Sequence, residues 1–111
     1  GAGPAYVARF VDALAKAAVE RGLTDELANT IALETVLGTA WMAATTRESM
    51  KDVVRRVASP QGTTEAGLPV LGRDDVLDKL VSLTISAASR RAVELAEEAK
   101  GLQVDSALTV H

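Results

Sequence analysis

Apolar positions recur along this chain at helical spacing almost from end to end. Val7, Phe10, Val11, Leu14 and Ala18 fall on one side of a helix, while Arg9, Asp12, Lys16 and Glu20 point elsewhere. This spacing predicts a helix over residues 4–21 with one buried face. Gly1-Ala2-Gly3 forms a flexible entry, and Pro4 suits a first turn because it needs no hydrogen-bonded amide there. Gly22 supplies the stop, since it accepts a left-handed backbone without a side-chain clash. Thr24, followed by Asp25 and Glu26, then offers a cap and an acidic first turn.

The second helix, residues 25–45, differs in kind. At a hundred degrees per residue Leu27, Ile31 and Met42 fill one sector, Leu33, Leu37 and Ala44 another, and Val36 and Trp41 lie beyond both. Asn29, Thr30, Glu34 and a few threonines interrupt this girdle, so the helix calls for partners on several sides. A third helix is predicted at residues 49–57, with Ser49 and Asp52 at capping-box spacing and Arg55 and Arg56 near its C-terminus. Residues 65–71 read as a short helix weakened by Gly67 and Pro69 and ended by Gly72. Asp74 and Asp75 suit the start of a long final helix, residues 74–100, with Leu77, Leu80, Val81, Thr84, Ala88 and Leu95 on an oblique apolar side and Gly101 as its stop. Residues 102–111 carry too little pattern to assign, and are expected to be a flexible tail or a docked arm beyond a helical domain at residues 1–101.

The fold class is therefore all-α, a helical bundle with a long C-terminal helix. That helix would run roughly 40 Å, against a diameter of about 34 Å for a compact domain of this length. A helix that outruns its own core and another that is apolar all round both point to an interlocked homodimer.

Composition narrows the chemistry. The 111 residues suffice for one domain with a modest core. The absence of cysteine removes disulfides, thiolate nucleophiles and cysteine metal sites. The one histidine, His111, stands at the very end. Twelve basic against fifteen acidic residues give a net charge of −3, which argues against nucleic-acid binding through phosphate neutralisation. Arg9, Asp12 and Lys16 break the first apolar region, and no apolar run is long enough for a bilayer. No signal-peptide pattern opens the sequence, so a cytoplasmic protein is expected.

Around this helical frame, Ala58-Ser59-Pro60-Gln61-Gly62-Thr63-Thr64-Glu65-Ala66-Gly67 is the main interruption. Ser59-Pro60 breaks a helix, Gly62 permits close backbone approach, and Thr63 and Thr64 are candidate caps. Two readings stand: an ordinary turn, or a seat for an anion such as a carboxylate, formed by Ser59 and the Gly62-Thr63-Thr64 amides. Arg55 and Arg56 border it, either as solubilising charges or as guides for an anion. Glu34 is the strongest candidate for a polar group trapped among apolar residues, either as a carboxylate base or ligand partner, or as a structural group paired with an arginine or left at a helix edge. Arg91 either reaches a carboxylate across an interface or snorkels to water. No strand–glycine loop–helix fingerprint, no Ser/His/acid constellation and no paired glutamate motif for a metal is present, so catalysis by this chain alone is not expected.

The ordered set Gly1-Ala2-Gly3-Pro4-Ala5-Tyr6, Thr35-Val36-Leu37-Gly38, Ser59-Pro60-Gln61-Gly62-Thr63-Thr64-Glu65-Ala66-Gly67, and Ala87-Ala88-Ser89-Arg90-Arg91 with Glu94-Leu95 resembles the C-terminal domain of pyrroline-5-carboxylate reductase. The resemblance runs through Leu95. It implies an N-terminal nucleotide-binding domain not contained in this chain, as in an excised fragment. It also implies helical domains interlocked as dimers or larger rings, and NADH- or NADPH-dependent reduction of the cyclic imine 1-pyrroline-5-carboxylate to L-proline. No cofactor is expected for the isolated chain. The family's carboxylate-binding turn falls on Ser59, Gly62, Thr63 and Thr64, and Thr64 matches the threonine near the substrate nitrogen, the catalytic candidate. Gln61 departs from the family's usual Ser-Pro-Gly-Gly. A helical homo-oligomerisation module without catalytic activity is the alternative.

Overall fold

The structure, a computed structural model, describes residues 2–58 and 62–109. Every regular element among them is helical: α1 (Gly3–Glu20), α2 (Asp25–Thr46), α3 (Met50–Val57), α4 (Thr63–Gly72), a single 3-10 turn (Arg73–Asp75) and α5 (Val76–Thr109). The chain divides into two units, Gly1–Ser59 and Pro60–His111.

In the first unit the turns follow from local chemistry. The Leu23 amide donates to Ala18 O at 3.3 Å and the Gly22 amide to Val19 O at 2.9 Å, closing α1 with Gly22 at φ 105°. Thr24 caps α2 by accepting from the Leu27 amide at 3.2 Å, with Asp25 and Glu26 in the first turn. Ser49 caps α3 in the same way, accepting from the Asp52 amide at 3.1 Å. Arg47, which the sequence reading did not single out, ends α2 in the left-handed region at φ 58°.

α1 and α2 pack against each other through small side chains. Ala15, Ala28 and Ala32 form the buried cluster, with Val11, Ala18 and Leu23 half-buried against it. Ala43 and Val53 are the other buried apolar residues of the described set, and no large side chain there is fully buried. Val7, Phe10 and Leu14, expected on the inner side of α1, are exposed in the single chain. The reason is geometric: helices that meet on alanines approach closely and leave the longer apolar residues of the same stripes outside the contact.

The second unit holds the long helix. α5 has 34 residues, about 51 Å at 1.5 Å per residue. It begins later and ends later than the pattern predicts. Asp74 and Asp75, expected in its first turn, adopt φ 53° and 55° and form the kink between α4 and α5 instead; a short polar side chain tolerates the left-handed region. Gly101 does not stop the helix, which continues to Thr109. A glycine weakens a helix but ends one only where it turns left-handed, and Gly22 is the glycine that does so among the described residues. None of the described residues of this unit is buried; Leu68, Thr84 and Ala88 are half-buried.

Candidate functional site

The described residues expose many large apolar side chains. Around α2, Leu33, Leu37 and Trp41 are 60%, 66% and 69% exposed, and Leu27 and Ile31 are exposed too. Leaving so many large side chains in water is unfavourable at roughly 25 cal/mol per Å² of apolar area. Four polar side chains of the girdle are already satisfied within the helix. The Thr35 hydroxyl donates to Ile31 O at 2.7 Å, Thr39 to Thr35 O at 2.7 Å, Thr46 to Met42 O at 3.0 Å, and the Asn29 amide to Asp25 O at 2.8 Å. A covering surface would therefore not strand these donors. Between α1 and α2 an open groove of about 570 Å³ is lined chiefly by Pro4, Val7, Val11, Leu33 and Val36. On α5, Leu80, Leu83, Ile85 and Val93 are exposed.

The predicted anion seat is placed in part. Ser59, with Pro60 and Gln61, lies outside the described residues. Gly62 is the N-cap of α4, extended at φ −91° and ψ 179°, and makes no side-chain cap hydrogen bond. Thr63 and Thr64 are thus not caps, as the sequence suggested, but the first two residues of the helix, because Gly62 already delivers the chain into helical geometry. First-turn amides have no acceptor within their own helix and face outward along the positive end of its dipole. Both threonines are exposed.

Several charged side chains are paired within their own units. Arg56 binds Glu48 through two contacts, Nη2 to Oε1 at 2.8 Å and Nε to Oε2 at 3.0 Å. Hydrogen bonds from Arg56 first and Thr46 second hold the Glu48 carboxyl below the usual glutamate range. Arg55 pairs with Asp52 at 3.3 Å, so both arginines of α3 have acidic partners in their own unit. A hydrogen bond from Lys16, 2.9 Å away, lowers the Asp12 carboxyl. Arg91 pairs with Glu94 at 3.0 Å and Glu98 at 3.4 Å along its own helix. Glu34 is exposed on α2 rather than trapped among apolar neighbours. Among the described residues no group of three or more His, Cys, Asp or Glu gathers as a metal site, and no helix is long and apolar enough to cross a membrane. With every regular element helical, these residues also lack the strand, glycine loop and helix that would hold a dinucleotide.

Comparison with known proteins places these features. Residues 1–95 match the family described as pyrroline-5-carboxylate reductase dimerisation. Pyrroline-5-carboxylate reductase of Synechocystis sp. is 41% identical over 98 residues, 88% of this chain and 36% of that protein. The Pseudomonas aeruginosa enzyme is 39% identical over the same shares. The chain thus spans about a third of the length of the curated relatives it matches. Among solved structures, Plasmodium falciparum pyrroline carboxylate reductase with NADP bound aligns with TM-score 0.73 and 29% identity, over 81% of this chain and 34% of that one. The Streptococcus pyogenes enzyme aligns with TM-score 0.68 and 37% identity, over 79% and 35%.

Proposed function

The chain belongs to the pyrroline-5-carboxylate reductase dimerisation family, and from that premise we propose that it is the helical dimerisation module of such a reductase, without catalytic activity on its own. The observation that carries this is the disproportion between core and surface. Buried residues of the described set are four alanines and one valine, while Leu37, Trp41 and their neighbours stand in water. A second copy removes that area from solvent and gives each copy the core it lacks. Sedimentation equilibrium of the chain tests the reading, with a dimer expected and a well-folded single chain overturning it.

A second reading concerns the longer enzyme, and the start of α4 favours it. With a nucleotide-binding part supplied from outside this chain, the enzyme reduces 1-pyrroline-5-carboxylate to L-proline with NADH or NADPH in the cytoplasm, as dimers or rings of dimers. The cofactor supplies the hydride. This chain's residues bind and orient: Ser59 and the Gly62, Thr63 and Thr64 amides hold the substrate carboxylate, and the Thr64 hydroxyl sits near the ring nitrogen. Gln61 stands in that turn in place of the family's usual glycine. Thr64→Ala in an intact reductase carrying this domain should lower imine-reduction kcat/KM; unchanged kinetics would remove the hydroxyl from the account. Titrating the isolated chain with L-proline separates a retained carboxylate seat from pure scaffolding.

A further inference from the structure

Gly38 occupies the interior of α2, where a glycine is the poorest choice short of proline. Nothing within the described chain accounts for it. Its backbone is not left-handed, and a Cβ built there meets no atom within 4 Å. The usual reasons for a glycine, a special φ or a crowded neighbour, are both absent from the protomer.

Its neighbours on the helix surface supply a reason. Leu27, Ile31, Glu34, Gly38, Trp41 and Thr45 follow one another at alternating steps of four and three, the seam along which two helices pack. At 3.6 residues per turn the six fall within a sector of about 80°, roughly 130° around the helix from buried Ala28, Ala32 and Ala43. All six are exposed, so α1 does not cover this seam. Glu34 is its one ionisable member, on a side chain flexible enough to keep its carboxylate at the rim.

We propose that a helix of a second copy crosses α2 at Gly38, with the missing side chain setting how closely the two backbones approach and Ile31 and Trp41 packing on either side. The occupant is a second copy because the family match covers the whole seam and names dimerisation, and because no face of this chain's own described first unit fills it. The inference rests on the dimerisation reading and adds the contact point.

The sign of a substitution tests it. On a free helix Gly38→Ala strengthens α2 and leaves association unchanged or tighter. At a close crossing the added methyl opposes approach, so the dimer dissociation constant measured by sedimentation rises several-fold for Gly38→Ala and by more than about tenfold for Gly38→Leu. Wild-type Trp41, one turn from Gly38 and the chain's sole tryptophan, gives a second readout without any variant. Its emission shifts to the blue in the dimer and returns to that of a solvated indole on dilution. A dimer unaffected or tightened by Gly38→Ala, or one in which Trp41 emission stays that of a solvated indole, overturns the crossing at Gly38 and leaves the dimerisation reading standing. A chain that sediments as a folded monomer overturns both.

Discussion

Arg56 holds Glu48 across the turn between α2 and α3 in a two-point contact, Nη2 to Oε1 at 2.8 Å and Nε to Oε2 at 3.0 Å. Glu48 is 24% exposed at its side chain, the more sheltered member of the pair. Arg47 turns left-handed just before it, and Ser49 caps α3 just after it. The pair therefore ties the end of α3 back to a turn whose geometry is otherwise local.

The pH dependence follows from that contact. Glu48 has its carboxyl lowered from the ordinary 4.5, so its contribution to stability is fully present above that value and is lost as pH falls through the lowered one. Glu48→Gln should reduce the urea midpoint at neutral pH, and the gap between wild type and variant should close as the solution is acidified below the ordinary glutamate range. Equal gaps at both pH values would show that the ion pair contributes nothing to folding.

Two caps are predicted to matter independently. Removing the hydroxyl in Thr24→Ala or Ser49→Ala leaves first-turn amides of α2 or α3 without an acceptor, and each should cost about 1 kcal/mol. Thermal unfolding at fixed chain concentration, followed by circular dichroism, checks the size. The two effects should add in the double variant, since no hydrogen bond described here links the caps.

Inside and outside should respond in opposite fashion. Ala28 is 0% exposed where α1 meets α2, and Ala28→Leu should cost about 1–3 kcal/mol through overpacking whatever the chain's association state. Leu37 is exposed in one copy. Leu37→Ala should leave the α1–α2 contact intact and raise the dimer dissociation constant, seen as a lower melting temperature at each chain concentration.

Gly101 provides a contrast to Gly38. It lies inside α5 without a left-handed backbone, a Cβ built there meets nothing within 4 Å, and it stands beyond the residues that match the family. Gly101→Ala should therefore stabilise α5 by up to about 1 kcal/mol. Increased helicity with unchanged dimer affinity is the expected pair of results.

The parts of the fold that were legible in the sequence are those decided within a few residues. Thr24 and Ser49 cap where their side chains can reach an amide three positions on, and Gly22 ends α1 because a left-handed residue is required there. What eluded the sequence depends on longer balances. Asp74 and Asp75 look like a helix start, yet the chain turns at them because aspartate tolerates positive φ. Gly101 looks like a stop, yet the flanking residues sustain the helix across it. The apolar side of α1 was legible, but its division was not: Ala15 is buried while Phe10 stays outside, because alanines set the α1–α2 distance. Of the anion seat, the sequence placed Gly62, Thr63 and Thr64 near a helix start but shifted that start by two residues.

The account stands on one property, that two copies share the apolar surface one copy cannot bury. Sedimentation equilibrium of the 111-residue chain over a wide range of concentration measures it most directly. The account predicts a mass twice the 11.6 kDa of the single chain, with helicity and Trp41 burial lost together as dilution favours dissociation. A particle of single-chain mass that keeps full helicity and unfolds cooperatively at every concentration would contradict it.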